Sequence, residues 1–215
     1  MKKLFAVGTG PGDPELLTIK SVHLIESADV IFAPDNRGKN MALDSAREYI
    51  KTDRIVYLEF PMGKMNDDLY KKNVNIIKDN LHDGEIGVYL TIGDASIYST
   101  FMNILKYEPD FNFEISSGIP SFLEAANIAK VPLATTGKNF TLVDNIDGVN
   151  LEFVDRIAIL KTFKDKSHTL DRLEAHGFKY VYIEEASSEN ELVLTNRDEI
   201  LERISYMSLI IGWKE

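Results

Sequence analysis

Three short segments hold residue types that could do chemistry. Gly8-Thr9-Gly10-Pro11-Gly12-Asp13-Pro14, Thr91-Ile92-Gly93-Asp94-Ala95-Ser96-Ile97-Tyr98 and Ser117-Gly118-Ile119-Pro120-Ser121-Phe122 each follow an apolar run. Glycine lets a backbone turn at positive φ and lets a ligand come close. In the first segment the spacing G-x-G-P-G lacks the third glycine of a dinucleotide fingerprint, and Asp13 stands in its place. A carboxylate there would repel a pyrophosphate, and the chain holds no G-x-x-x-x-G-K-[ST] run. A ligand for this loop would therefore be poor in phosphate. S-adenosylmethionine, with its adenosine, amino-acid end and cationic sulfonium, meets that description. A tight strand-to-helix turn capped by Asp13 accounts for the same residues equally well.

The other segments carry the same duality. Asp94 could accept hydrogen bonds from ligand hydroxyls or an ammonium group, or cap the following helix. Tyr98 offers a flat face with a polar tip. Ser121 and Phe122 read either as ligand contacts or as a cap and a core aromatic. Asp35, Glu184 and Glu185 lie near predicted strand ends, as candidate bases or as solvated carboxylates. His23, His82, His168 and His176 fall in helical or turn patterns with no metal-ligand or triad spacing, which suits surface and capping roles. With no cysteine in the chain, thiolate chemistry, disulfides and Cys-ligated metals are excluded. No metal site is expected, and no residue is assigned a catalytic role.

The elements that must position these loops alternate between short apolar runs and helical patterns, which predicts an α/β fold with at least partly parallel sheets. Strands are expected at 4–7, 30–33 (stopped by Pro34), 55–58, 86–91, 113–115, 140–143, 157–160, 180–183, 192–194 and 208–211. Helices are expected at 14–28, 41–50, 66–81, 96–105, 121–129, 169–175 and 197–204. Asp13 caps the first, and Ser121 with Glu124 has capping-box spacing. Ser116 to Pro120 breaks the rhythm, which predicts two domains, 1–116 and 117–215.

The 215 residues include 24 Lys+Arg against 34 Asp+Glu, a net charge of −10. That balance speaks against a partner held by phosphate neutralisation, so neither nucleic acid nor anionic membrane is expected. No apolar run approaches the roughly 20 residues of a spanning helix, and Gly8 ends the N-terminal stretch too early for a signal peptide. The missing cysteines suit a reducing cytoplasm.

Together these segments resemble the tetrapyrrole methylase family of S-adenosylmethionine-dependent enzymes. The resemblance rests on Gly8 to Lys20, Ala28-Asp29-Val30, Gly93 to Tyr98, Gly118 to Ala126 and Val131 to Ala134. Ala95 departs from it, since the family often has proline there. Within the family the chain looks most like the C20-methyltransferases of cobalamin biosynthesis, which act on precorrin-2 or its cobalt form, cobalt-factor II. Glu59-Phe60-Pro61-Met62, Tyr98 to Phe101 and Tyr206 to Ile211 carry that closer likeness. The resemblance implies two small α/β domains with a cofactor cleft between them, a homodimer, and S-adenosylmethionine converted to S-adenosylhomocysteine. It implies cofactor contacts at Pro11, Gly93, Asp94, Ile97, Tyr98, Ser121, Phe122, Leu160 and Ala186. A polycarboxylate tetrapyrrole would also need basic residues in an acidic protein, with Arg37, Lys39, Lys64, Lys161, Lys164 and Lys166 as candidates. The competing readings are a methylase of another ring carbon, a diphthine synthase, and a nucleotide-binding module without chemistry.

Overall fold

A computed structural model describes every residue except Met1, Arg37, Met62, Gly63 and Lys164. The basic candidates Arg37 and Lys164, and Met62 of the Glu59-to-Met62 likeness, thus lie outside the described residues. The chain divides into two compact units, Met1–Pro120 and Ser121–Glu215.

Unit 1 holds strands β1 (Lys3–Gly8), β2 (Val30–Asp35), β3 (Ile55–Glu59), β4 (Ile86–Thr91) and β5 (Phe113–Ser116). They form one sheet in the order β3-β2-β4-β1-β5, with every pairing parallel. Helices α1 (Ile19–Glu26) and α2 (Met41–Ala46) lie on one face, and α3 (Asp67–Asn80) and α4 (Thr100–Ile104) on the other. The central strands β1, β2 and β4 are apolar along most of their length because both faces are covered, whereas the edge strands β3 and β5 expose Tyr57, Glu59 and Glu114. Leu4, Ala6, Phe32 and Tyr89 pack with Val74, Ile77, Phe101 and Ile104. The alternate residues Phe5, Val7, Ile31 and Leu90 pack with Ile25, Leu43 and Ala46. The chain moves outward from β1 to β3 on one face and returns through β4 to β5 on the other, as uniform crossover handedness requires.

Unit 2 holds α5 (Ser121–Ala129), β6 (Phe140–Val143), β7 (Arg156–Leu160), α6 (Lys166–Ala175), β8 (Lys179–Glu184), β9 (Leu192–Leu194), α7 (Arg197–Glu202) and β10 (Ser208–Trp213). Its sheet runs β6-β7-β10-β8-β9; β6 and β7 are parallel, and the other pairs antiparallel. Leu170, Leu173 and Ile200 of α6 and α7 pack on Ile157, Ile159, Tyr182 and Ile210. On the other face Ala125 and Ala126 of α5 pack on Val181, Ile183, Leu209 and Ile211.

Three expectations need correction. β2 runs through Pro34 to Asp35. The Ile31 N–H donates to Arg54, so by alternation the Pro34 nitrogen faces the β4 side, beyond Phe32 where that register ends; no ladder bond is lost. The expected helix 14–28 is a 3₁₀ turn at Pro14–Leu16 followed by α1, because Thr18 accepts the Ser21 N–H and caps a new start. The expected helix 96–105 begins only at Thr100, where the Ser99 hydroxyl accepts the Met102 N–H.

Candidate active site at the strand ends

In unit 1, β1 and β4 are neighbours, yet the chain leaves them for opposite edges of the sheet and over opposite faces. A crevice therefore opens beyond their carboxyl ends, where open α/β sheets bind ligands. The three glycine-bearing segments meet here. Gly10 and Gly93 pair across the gap, with N–H to carbonyl distances of 3.3 and 2.7 Å. Both need left-handed backbone, at φ +74° and +69°. A Cβ on Gly8 would stand 2.5 Å from the Gly93 carbonyl oxygen and 2.6 Å from the Gly118 nitrogen. A Cβ on Gly118 would run into that same oxygen and come within 2.8 Å of Gly8 Cα. Three loop backbones thus touch one another, which only glycine permits.

Buried hydroxyls and one carboxylate lock this contact. Ser21 Oγ donates to the Gly8 carbonyl at 3.2 Å and lies 3.1 Å from Ser116 Oγ. Thr9 donates to the Thr91 carbonyl at 3.2 Å, and Thr18 to the Ser117 carbonyl at 3.3 Å. Asp94 Oδ1 accepts the Ser96 N–H at 2.8 Å and the Ser96 hydroxyl at 2.5 Å. Its Oδ2 accepts the Gly118 N–H at 2.9 Å, joining the second loop to the third. Burial would raise the Asp94 pKa, but these donors outweigh it and hold the carboxyl below its ordinary value. Ala95, where proline was the family expectation, is buried and its carbonyl accepts the Ser99 hydroxyl at 2.5 Å. Hydrogen bonds hold the turn that a proline ring would otherwise stiffen. Asp94 stands out in the sequence, whereas Thr9 and Ser116 show only as small polar residues at strand ends, and Thr18 and Ser21 only as positions in a helical pattern.

The sequence-derived candidates fall into two groups. Pro11, Gly93, Asp94, Ile97 and Tyr98 lie on the converging loops of unit 1; Pro11 is buried, Ile97 half-buried, and Tyr98 half-exposed with φ +46°. In unit 2, Phe122, Leu160 and Ala186 share one apolar cluster. Ser121 is the first residue of α5, inside the helix and not at its cap, and the Glu124 carboxylate accepts the Asn127 amide at 3.4 Å.

The candidate bases separate too. Glu184 is buried at 3% exposure and takes Arg203 at 2.7 Å and the Tyr182 hydroxyl at 2.5 Å. Burial pushes its pKa up, but Arg203 and Tyr182 more than offset this, and the net shift is downward. Glu184 is therefore a paired structural carboxylate and not a base. Asp35 Oδ1 accepts the Gly38 N–H at 2.9 Å, and Glu185 sits in left-handed backbone just after β8. His168 lies within α6, not in a turn, and pairs with the exposed Asp147 at 3.0 Å; His176 caps the end of α6. Lys166, a candidate for substrate carboxylates, is instead buried and donates to the Arg203 carbonyl. Lys39 and Lys64 are exposed.

The loop chemistry can be tested against a cofactor. Segments 8–14, 91–99 and 117–120 contain no Lys or Arg and two carboxylates, Asp13 and Asp94. Asp13 accepts the Glu15 N–H at 2.9 Å, and α1 starts only at Ile19, so no long helix N-terminus faces the first loop. These residues suit a cationic or neutral nucleoside and oppose a pyrophosphate. Among the described residues, no group of three or more His, Cys, Asp or Glu could hold a metal ion. None of their helices is long and apolar enough to cross a membrane.

Comparison with known proteins adds to this geometry. Residues 3–201 match the family of the Tetrapyrrole (Corrin/Porphyrin) Methylases. A protein of Methanocaldococcus jannaschii named "Probable cobalt-precorrin-2 C(20)-methyltransferase" is 32% identical, over 98% of this chain and 96% of its own. A Precorrin-2 C(20)-methyltransferase of Sinorhizobium sp is 26% identical over 99% of this chain and 96% of its own. The uroporphyrin-III C-methyl transferase of Thermus thermophilus, crystallised with S-adenyl homocysteine, superposes with a TM-score of 0.69. It covers 98% of this chain and 97% of its own at 19% identity, and shows the same fold.

Proposed function

The chain belongs to the tetrapyrrole methylases, and on that footing we propose that it transfers a methyl group from S-adenosylmethionine to C20 of cobalt-factor II or precorrin-2 in cobalamin biosynthesis. The observation that carries this reading is the 32% identity, along nearly the whole chain, to a relative named for that reaction. The cation-free glycine crevice of unit 1 supports the cofactor. Pro11, Gly93, Asp94, Ile97 and Tyr98 would hold it there, with Ser121, Phe122, Leu160 and Ala186 as its contacts in unit 2.

When bound, the cofactor supplies an electrophilic methyl on a sulfonium. The chain's own residues then have to orient it and keep water out. Gly93 and Gly118 give close backbone approach, and Asp94 fixes the distance between their loops. The substrate carboxylates would be met by Lys39, Lys64 and the partly exposed Lys161. The proton lost from C20 has Asp35 or Glu185, or water, as its acceptor. The same reading carries a homodimer and a cytoplasmic location, which light scattering and cell fractionation test.

The decisive experiment incubates the enzyme with isotopically labelled S-adenosylmethionine and each macrocycle in turn, then locates the new methyl by NMR. A label at C20 is expected. A label on another ring carbon overturns the position, and tight NAD binding without response to S-adenosylhomocysteine overturns the methylase reading altogether.

A further inference from the structure

Unit 2 contains a buried charge cluster that no step above uses. Glu184, the last residue of β8, points to the same face as Tyr182, where α6 and α7 pack. Arg203, which ends α7, reaches it through Nε at 3.2 Å and a terminal nitrogen at 2.7 Å, while the Tyr182 hydroxyl donates at 2.5 Å. Lys166 at the start of α6 is buried, lies over the Tyr182 ring and donates to the Arg203 carbonyl. Beside them, Thr162 and Ser208 hydroxyls meet at 3.2 Å, and Ser208 donates to the Ser205 carbonyl at 2.8 Å.

The cluster lies where the backbone is least relaxed. Just past β7 the Lys161 N–H is tied to the Ser208 carbonyl at 3.0 Å, and just past β8 the Glu185 N–H is tied to Met207 at 2.8 Å. Lys161, Glu185 and Ser187 then take left-handed backbone at φ +57°, +46° and +65°. Residues with a Cβ resist that conformation and keep it only when their surroundings impose it. Among the described residues the other non-glycine cases are Tyr98 and Lys130. Within unit 2, three of the four such residues therefore sit just past the ends of β7 and β8, beside Leu160 and Ala186.

We propose that Glu184 and Arg203 are positioning residues for the methyl donor. Their ion pair fastens the end of α7 and the start of β10 to the end of β8, and so holds the two left-handed turns that present Leu160 and Ala186. This inference rests on the cofactor reading given above. Neither side chain touches the cofactor in this account; Glu184 faces α6 and α7, whereas Leu160 and Ala186 belong to the cluster on the α5 face.

Calorimetry with S-adenosylhomocysteine tests it, together with steady-state kinetics on the full chain. Glu184→Gln keeps the shape and the tyrosine hydrogen bond but removes the charge. The expected result is about tenfold weaker S-adenosylhomocysteine binding and a matching rise in the S-adenosylmethionine KM, with the tetrapyrrole KM unchanged. Lys138→Met breaks an ion pair with Asp155 at the opposite end of β7 (3.0 Å), and should lower thermal stability without moving either KM. If Glu184→Gln does not fold, the half-exposed Arg203 gives a second route: Arg203→Met should weaken binding and Arg203→Lys should restore most of it. Wild-type affinity in Glu184→Gln, or in Arg203→Met, overturns the inference. A wild-type protein that does not bind S-adenosylhomocysteine overturns the cofactor reading beneath it.

Discussion

The two sheets solve one problem by different means. Each holds the loops at its strand ends against one another. Unit 1 does so with bare backbone: Gly8, Gly93 and Gly118 touch, and hydroxyls and Asp94 close the seam. Unit 2 does so with long charged side chains: Arg203 reaches from the end of α7 to Glu184 at the end of β8, and Lys166 at the start of α6 donates to the Arg203 carbonyl. The all-parallel sheet can use glycine because β4, β1 and β5 run side by side and release their loops in one place. In the mixed sheet, β10 enters where β7 and β8 end. The loops are then separated by a strand and need reach, not proximity. Backbone contact tolerates no added atom, whereas side-chain contact tolerates shape change but not loss of charge.

The largest effect should come from adding one methyl group to the first arrangement. Gly118→Ala puts Cβ into backbone atoms that no rotamer can move aside. It should cost on the order of 3 kcal/mol or more, read as a lowered urea midpoint, and should abolish S-adenosylhomocysteine binding in whatever folds. Gly148 in unit 2 is the counterpart, with φ +79° and nothing within 4 Å of where a Cβ would stand. Gly148→Ala should cost about 1 kcal/mol, for backbone conformation alone, and leave ligand binding intact. Equal losses would mean that steric contact is not what holds the unit 1 loops.

Acid should separate the two arrangements next. Asp94 and Glu184 both have pKa values lowered in the folded protein. Each contributes stability that is complete above the ordinary carboxylate value of about 4 and fades as pH falls through the depressed one. Asp94→Asn and Glu184→Gln should each cost about 2 kcal/mol at neutral pH and flatten the stability loss below about pH 4. Asp94→Asn should also weaken S-adenosylhomocysteine binding at every pH, since an amide cannot accept both the Gly118 and Ser96 donors in the same way. Denaturant titrations across the acid range check the sign. A variant as acid-sensitive as wild type would show that its carboxylate is not the group responsible.

Where the sequence sufficed and where it did not follows the same division. The bounds of β4, β6 and β9 and the start of α3 were legible because their signals are local: apolar runs, punctuating glycines and a polar cap. Asn66 before α3 is a case in point, since its side chain accepts the Leu69 N–H at the expected start. Local signals misled where a partner elsewhere in the chain decided the outcome. Pro34 extends a strand because β4 has already stopped pairing there. In the site, the glycine pattern was visible, but its reason was not, because Gly8 and Gly118 are brought together only by strand order. Glu184 looked like a free carboxylate at a strand end; Arg203, its partner, lies on an element whose position no local pattern reveals. The family resemblance implies cofactor positions but says nothing of the buried cluster beside two of the residues it names, Leu160 and Ala186.

The smallest expected effect concerns the surface, and it asks which unit meets the polyanionic substrate. The chain carries −10 overall, so its long-range field opposes a polycarboxylate and any attraction must be local. Lys166 is withdrawn into the unit 2 cluster, which shifts the expectation toward the exposed Lys39 and Lys64 of unit 1. Lys39→Glu and Lys64→Glu should each raise the tetrapyrrole KM by roughly threefold, the scale of one exposed charge pair. The increase should shrink toward 1 M salt, where the Debye length is about 3 Å. S-adenosylhomocysteine affinity should not change, because the three segments of the glycine crevice hold no Lys or Arg. A salt-independent loss, or an equal loss of both ligands, would place these lysines in the fold and leave substrate charge recognition to unit 2.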